Sequence, residues 1–239
     1  ILGLSGGKTV LIDAGPKGRG GYGAPVWPAL RWYLGKNAAR QVDVALLTHA
    51  DTDHIGGFFE LTDQVEIKRF YLHVLHKRRK SVGALLEKLR VKQVEVYWLE
   101  GTQGQIEVDD ETYIRFFSMG EEVHTSLKKR TSYNDYSTVF LLRHRNKRVL
   151  FPGDIHALGE SKIVSQLENV DILMVPHHGS RTSSTGDFLA VLKPRIAIIS
   201  CGYKNRFGFP HQSVLNRLDL SKATTLRTDR HGAIMLTDS

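Results

Sequence analysis

Short apolar and β-branched runs alternate with polar, glycine-containing segments along nearly the whole chain. Thr9 to Ile12, Val42 to Leu47, Arg69 to Leu75, Val94 to Leu99, Tyr113 to Phe117, Thr138 to Leu142, Arg148 to Phe151, Asp171 to Val175, Arg195 to Ser200 and Ala233 to Leu236 read as strands. Several are continuous rather than alternating, the pattern of strands covered on both faces. Helical periods lie between them. Val82, Leu85, Leu86 and Leu89 fall at i, i+3, i+4 and i+7, with Ser81 as the N-cap. Ala157 to Leu167, Gly186 to Leu192 and Ser213 to Leu218 are shorter helical stretches, and Asn146-Lys147 turns a hairpin between Val139–His144 and Arg148–Phe151. Many strands with interspersed helices, and no strict alternation, predict an α/β fold of two sheets packed together with helices outside.

Composition keeps the chain in the globular class. Of 239 residues, 41% are hydrophobic and 24% charged, well away from a disordered profile. No apolar run approaches the roughly 20 residues that span a bilayer. The opening Ile1-Leu2-Gly3-Leu4 has neither Met nor a basic-then-apolar leader and reads as the interior of a longer protein. The expectation is a single domain over 1–239, excised from something larger. Lys and Arg number 33 against 25 Asp and Glu, a net +8, which favours phosphate backbones or anionic membrane surfaces as partners. The single cysteine, Cys201, excludes an internal disulfide framework and a cysteine-rich zinc site.

The densest chemistry is Thr48-His49-Ala50-Asp51-Thr52-Asp53-His54-Ile55-Gly56-Gly57, directly after the apolar run Val42 to Leu47. His49, Asp51, Asp53 and His54 are four ligand-type side chains within six residues. Carboxylates crowded this way repel one another unless cations neutralise them. Two later runs end similarly: Arg148 to Phe151 leads through Pro152-Gly153 to Asp154, and Asp171 to Val175 leads through Pro176 to His177-His178-Gly179-Ser180. A strand followed by a ligand, three times over, suits two divalent ions sharing a carboxylate bridge if the strand ends meet.

This set resembles the metallo-β-lactamase superfamily, whose members carry His-x-His-x-Asp-His after a strand, a later bridging Asp and a final His. Leu11-Ile12-Asp13-Ala14-Gly15 is similar to its early Asp-containing strand. The resemblance implies a four-layer αββα sandwich (the metallo-β-lactamase fold) with metals at one edge, Asp154 as the bridge, and His178, beside His177, as the final ligand. Asp51 stands where the family has its second histidine, which shifts preference from zinc towards manganese or magnesium. The family's middle histidine is absent; Ser132-Tyr133-Asn134-Asp135-Tyr136-Ser137 occupies its place, and Asp135 or Asn134 is the substitute oxygen donor. Asp13 reads as a structural brace for the metal loop.

The departures, together with Phe207-Gly208-Phe209-Pro210-His211 and Leu226-Arg227-Thr228-Asp229, resemble the C-terminal domain of the ComEC family of bacterial competence proteins. That resemblance implies a manganese-favouring, two-metal nuclease, with zinc or magnesium as alternatives. It would degrade one strand of incoming DNA on the extracytoplasmic side of the cytoplasmic membrane, joined to a membrane channel in the same polypeptide. His49, Asp51 and Asp154, with Asp135 or Asn134, would hold one ion; Asp53, His54, Asp154 and His178 the other. Asp53 would also orient water, and His211 would grip a phosphate oxygen or protonate the leaving group. His177 and Ser180 are placed beside the substrate, and Lys77, Arg78, Arg79 and Lys80 under its phosphates. Lys128-Lys129-Arg130 and Arg143 to Arg148 are further basic runs. Two other readings compete: a small-substrate metallohydrolase acting on a lactone, thioester or β-lactam, and a DNA-binding module without catalysis. The first needs an apolar pocket; the second would bind DNA without cleaving it.

Overall fold

A computed structural model describes residues 1–4, 6–18, 26–36, 41–120 and 132–237. The basic run Lys128-Lys129-Arg130 lies outside the described residues. The chain divides into two compact units, Ile1–Gly104 and Gln105–Ser239. Among the described residues no helix is long and apolar enough to cross a membrane.

The first unit carries a five-stranded sheet in the order β1-β2-β3-β4-β5. Its strands are β1 (Leu2–Gly3), β2 (Thr9–Ile12), β3 (Gln41–Leu47), β4 (Glu66–His73) and β5 (Glu95–Leu99). β1 is antiparallel to β2; the remaining neighbours are parallel. Its helices are α1 (Val26–Lys36), α2 (Thr52–Ile55), α3 (Phe58–Leu61) and α4 (Lys80–Val91). Leu30, Leu34, Phe58, Val82, Leu85 and Leu89 from these helices join Val42, Ala45, Leu47, Phe70 and Leu72 in one buried cluster. Val44 and Leu46 are also fully buried, so β3 is covered on both faces, as its unbroken apolar run predicts. The helix predicted around Val82 is present, but Arg79 is its N-cap. Ser81 lies inside the helix and its hydroxyl donates to the Ala50 carbonyl instead.

The second unit carries a seven-stranded sheet in the order β12-β11-β10-β9-β8-β7-β6. Its strands are β6 (Gln103–Asp109), β7 (Thr112–Phe117), β8 (Val139–His144), β9 (Lys147–Phe151), β10 (Ile172–Met174), β11 (Ile196–Ile199) and β12 (Thr224–Arg227). β9 to β12 run parallel, while β7, β8 and β9 are antiparallel neighbours. Its helices are α5 (Ala157–Ile163), α6 (Gly186–Leu192), α7 (Gln212–Leu220) and α8 (Thr228–His231). Phe188, Leu189, Val214 and Leu218 pack with Leu141, Leu150, Leu173 and Ile199. The β8–β9 hairpin turns one residue earlier than expected, because Lys147 pairs with His144 inside the ladder. Ala233 to Leu236 is not a strand; that strand position at the sheet edge belongs to β12. The Arg143–Arg148 run is committed to ion pairs within the unit: Arg143 and Arg148 with Glu168, and Arg145 with Glu111.

Candidate metal-site residues

Parallel pairing decides where the chemistry of the first unit collects. β2, β3 and β4 share a direction, so the segments leaving their carboxyl ends emerge at one sheet edge. These segments carry Asp13, Thr48 to His54, and His76 to Arg79. Asp13 adopts a left-handed conformation, φ 54°, which aspartate tolerates better than most side chains. Its Oδ1 accepts the Thr48 amide at 2.8 Å, and its Oδ2 accepts the Thr48 hydroxyl at 2.7 Å and lies 2.6 Å from His54 Nδ1. Burial alone would raise the Asp13 carboxyl; the charge and hydrogen bond of His54, with His49 and the Thr48 amide, hold it below the usual carboxylate range. The His49 and His54 rings stand 4.1 Å apart, and His49 Nε2 is 3.9 Å from Asp51 Oδ2. Asp53 and His54 each offer a ligand atom within 4.8 Å of the other. The two glycines closing the motif are sterically required. A Cβ on Gly57 would stand 2.0 Å from the Ala14 carbonyl oxygen, and one on Gly56 2.4 Å from that of Thr52.

In the second unit, β9, β10 and β11 are parallel, so Asp154, His177-His178 and the segment from Ser200 to His211 leave one edge. β8 runs the other way, so Asn134-Asp135 enters at that same edge. Asp154 is buried, its amide donates to Ser137 Oγ at 3.1 Å, and its Oδ2 lies 3.6 Å from His178 Nε2 and 3.9 Å from His177 Nε2. His177, His178 and Gly179 are successive left-handed residues at φ 49°, 55° and 81°. That strains the two histidines, and such strain persists only where the surroundings over-determine it. Here the His177 amide donates to Gly153 and the His211 amide to the Gly179 carbonyl. A Cβ on Gly179 would come within 2.5 Å of Pro210. His156, absent from the sequence reading, stacks on His177 with ring centroids 4.9 Å apart. Its i, i+2 spacing from Asp154 is the only signal that could have found it.

A family model described as the metallo-beta-lactamase superfamily matches residues 1–203. The chain belongs to the metallo-β-lactamase superfamily. It is 30% identical over 205 residues to ComE operon protein 3 of Bacillus subtilis (strain 168), covering 84% of this chain and 25% of that protein. It is 28% identical over 212 residues to Competence protein ComA of Neisseria gonorrhoeae, covering 83% of this chain and 26% of that one. The chain therefore spans about a quarter of the length of these curated relatives. Among solved structures, CmlA, a diiron beta-hydroxylase from Streptomyces venezuelae, aligns with a TM-score of 0.51 at 15% identity over 80% of this chain and 44% of that chain, a likeness of fold. The α/β class with two sheets and helices is the one expected of a metallo-β-lactamase-fold hydrolase.

The donor set of this superfamily member fits divalent cations, and the hydrogen bonds show why. The Ser200 carbonyl can only accept, so His178 Nδ1 donates to it at 2.7 Å and Nε2 carries the lone pair. Ionised Asp13 likewise accepts a hydrogen bond from His54 Nδ1, which keeps its proton there. The Thr48 hydroxyl spends its proton on Asp13, so at 3.1 Å it accepts from His49 Nδ1. Three imidazoles thus hold their protons on Nδ1 and carry lone pairs on buried Nε2 atoms, the tautomer that outer partners impose on metal-binding histidines. The brace role expected of Asp13 is borne out, and Thr48, given no role from the sequence, is its relay.

Other expected site residues are placed differently. Asp135 does not join the donors. Its carboxylate accepts the amides of Ser132, His156 and Gly159, each at 3.1 Å, so its assignment as a metal ligand gives way to a backbone brace. Asn134 reaches an imidazole instead, its Nδ2 3.5 Å from His177 Nε2. Ser180 is buried and shares its hydroxyl with Thr182 at 3.0 Å, rather than presenting it at the surface. His211 is the N-cap residue of α7; its Nδ1 accepts the Arg181 amide at 3.0 Å, and the Arg181 guanidinium stands 3.4 Å from its Nε2. Lys77, Arg78, Arg79 and Lys80 are all exposed. Arg79 also pairs with Asp51 at 2.9 Å.

Proposed function

We infer that this chain hydrolyses DNA phosphodiester bonds and degrades one strand of incoming DNA during natural transformation. The observation that carries the reading is in the first unit, where the basic run is sewn to the ligand loop at three points. Buried His76 reaches the Thr48 carbonyl at 3.1 Å, Arg79 reaches Asp51 at 2.9 Å, and Ser81 reaches the Ala50 carbonyl at 3.3 Å. Phosphate-binding cations are thereby held beside candidate ligands, an arrangement suited to a polyanion and ill suited to the apolar pocket a lactam or thioester needs. Similarity to a protein named for competence supports the biological setting.

On this reading His49, Asp51, Asp53 and His54 act together with Asp154 and His178 on two divalent ions. The family match supports this, because it runs through the segments carrying all six. Asp51, Asp53 and Asp154 make the set oxygen-rich, which favours manganese, with zinc and magnesium as alternatives. Such ions supply charge neutralisation at the phosphodiester and a more acidic water. Exposed Asp53 orients that water. His211, beside Arg181, grips a phosphate oxygen or protonates the leaving group, and Lys77 to Lys80 hold flanking phosphates. A channel portion of the same polypeptide and a position outside the cytoplasmic membrane complete the proposal, supported by the relatives' greater length.

The test is a DNA cleavage assay across manganese, magnesium and zinc with Asp53→Ala and Asp154→Ala. The expected outcome is loss of cleavage by at least about a hundredfold in both variants. Equal cleavage by wild type and both variants would overturn the assignment.

A further inference from the structure

The segment between β11 and α7, Ser200 to His211, carries exposed rings that the phosphodiesterase reading leaves unused. Asn205 shapes it. Its side-chain amide donates to the carbonyls of Phe209 at 2.7 Å and Gly202 at 3.0 Å, and its Oδ1 accepts the Phe209 amide at 2.9 Å. Both backbone polar groups of Phe209 are therefore clamped by one side chain. The Phe209 ring lies among His177, His178 and His211 at centroid distances of 5.6, 6.2 and 5.2 Å. Phe207 stacks on it at 5.4 Å with 19° between the planes, and His178 lies on it at 25°. His178, Phe209 and Phe207 thus form a near-parallel ladder leading from a candidate metal ligand to solvent.

The outer end of the ladder is open. Phe207 is 57% exposed and neighbouring Tyr203 is 74% exposed. Each carries a cation from its own loop: the Arg206 guanidinium stands 4.7 Å from the Phe207 ring centre, and Lys204 Nζ stands 5.3 Å from that of Tyr203. Between Asp187 and Asp219 the chain has no acidic residue and five Lys or Arg. An apolar protein partner would have to desolvate those cations. A flat, uncharged ring attached to a phosphate matches both features, because the ring stacks and the phosphate meets the cation.

We propose that Tyr203 and Phe207 form a stacking platform for unpaired nucleobases, with Lys204 and Arg206 on the adjoining phosphates. The bound form is then a single strand or a frayed end, since a base inside a duplex has both faces covered by its neighbours. The proposal rests on the nuclease reading for the identity of the polymer as DNA. It goes beyond that reading in requiring accessible bases as well as phosphates.

Fluorescence anisotropy on the full chain in EDTA tests it, because binding is then read without cleavage. The probes are a thymidine oligonucleotide of about a dozen residues, an abasic oligomer of equal length and a blunt duplex. The abasic oligomer should bind about tenfold more weakly than the thymidine oligomer, and the duplex more weakly still. Phe207→Ala and Tyr203→Ala should each lose about tenfold on the thymidine oligomer and leave abasic binding unchanged; Phe207→Trp should retain affinity and Phe207→Leu should not. Equal affinity for thymidine and abasic oligomers, a preference for the duplex, or full affinity in Phe207→Ala would overturn the platform. Failure of the nuclease reading shows in the metal-dependent cleavage assay, so the two outcomes separate.

Discussion

The two units position their candidate ligands by different means. In the first, side chains hold side chains. Asp13 gathers Thr48 and His54 directly, and Thr48 extends the network to His49. In the second, the backbone does the holding. Asp135 fixes two amides at the start of α5 and one in its own turn, a carbonyl sets His178, and a left-handed stretch aims His177 and His178. A side-chain network can be packed into one short motif, so it leaves a dense local signature. A backbone-held site draws on segments dozens of residues apart, and each alone looks ordinary. The difference teaches that signature density reports the mode of support rather than the importance of a site.

The sharpest way to break this contrast is to remove both braces. Asp135→Ala strands three amide donors at a buried site and should cost about 4 kcal/mol. Asp13→Ala, at a partly exposed site with one amide and two side chains to lose, should cost about 3 kcal/mol. Urea denaturation measures both, and a larger loss at Asp13 would invert the comparison.

Acid sharpens it next, because buried titratable groups pull the units in opposite senses. Burial, then the charge of His73, pushes His76 down to about 4. An unfolded histidine protonates near 6.5, so the stability tied to neutral His76 is complete above that pH and is lost as pH falls towards 4, by about 3 kcal/mol. In the second unit, burial raises Glu160 against the bonds it accepts from Thr185 and Ser184. There the folded state favours the proton, so stability is lost as pH rises above the ordinary carboxylate value. Urea midpoints against pH should flatten between pH 4 and 6.5 in His76→Gln and steepen in Glu160→Gln. An unchanged slope in His76→Gln would remove that residue from the account.

The smallest effect on folding is expected at Arg79. Its pair with Asp51 is partly solvent-exposed, so Arg79→Ala should change stability by less than about 1 kcal/mol. The same variant should lower the salt dependence of DNA binding by about one phosphate contact. An unaltered salt slope would detach the basic run from the substrate.

Much of the fold was legible because buried strands write continuous apolar runs; β3, β4 and β9 stand at or within a few residues of where those runs lie. β12 was not. Its polar, half-exposed Thr224-Thr225 gives no strand period, and it is a strand because β11 offers it a free edge. Ala233 to Leu236 shows the converse, an apolar run that pairs with no strand among the described residues. Ser81 has the chemistry of a cap, yet the Ala50 carbonyl takes its hydroxyl. His156 left only its i, i+2 spacing from Asp154 and Ser200 left no mark, since one acts through ring stacking and the other through a backbone oxygen.

Ligand-type side chains and their place just after strands are properties of the amino-acid order, because a residue within a few positions of a strand end must emerge at that strand's edge. Which acid stands among imidazoles as a candidate ligand and which one braces backbone is not. Asp154 and Asp135 are both buried carboxylates near one sheet edge, and only folding brings backbone amides to Asp135 and imidazoles to Asp154. A carboxylate takes its role from the donors around it, and those arrive from remote parts of the chain.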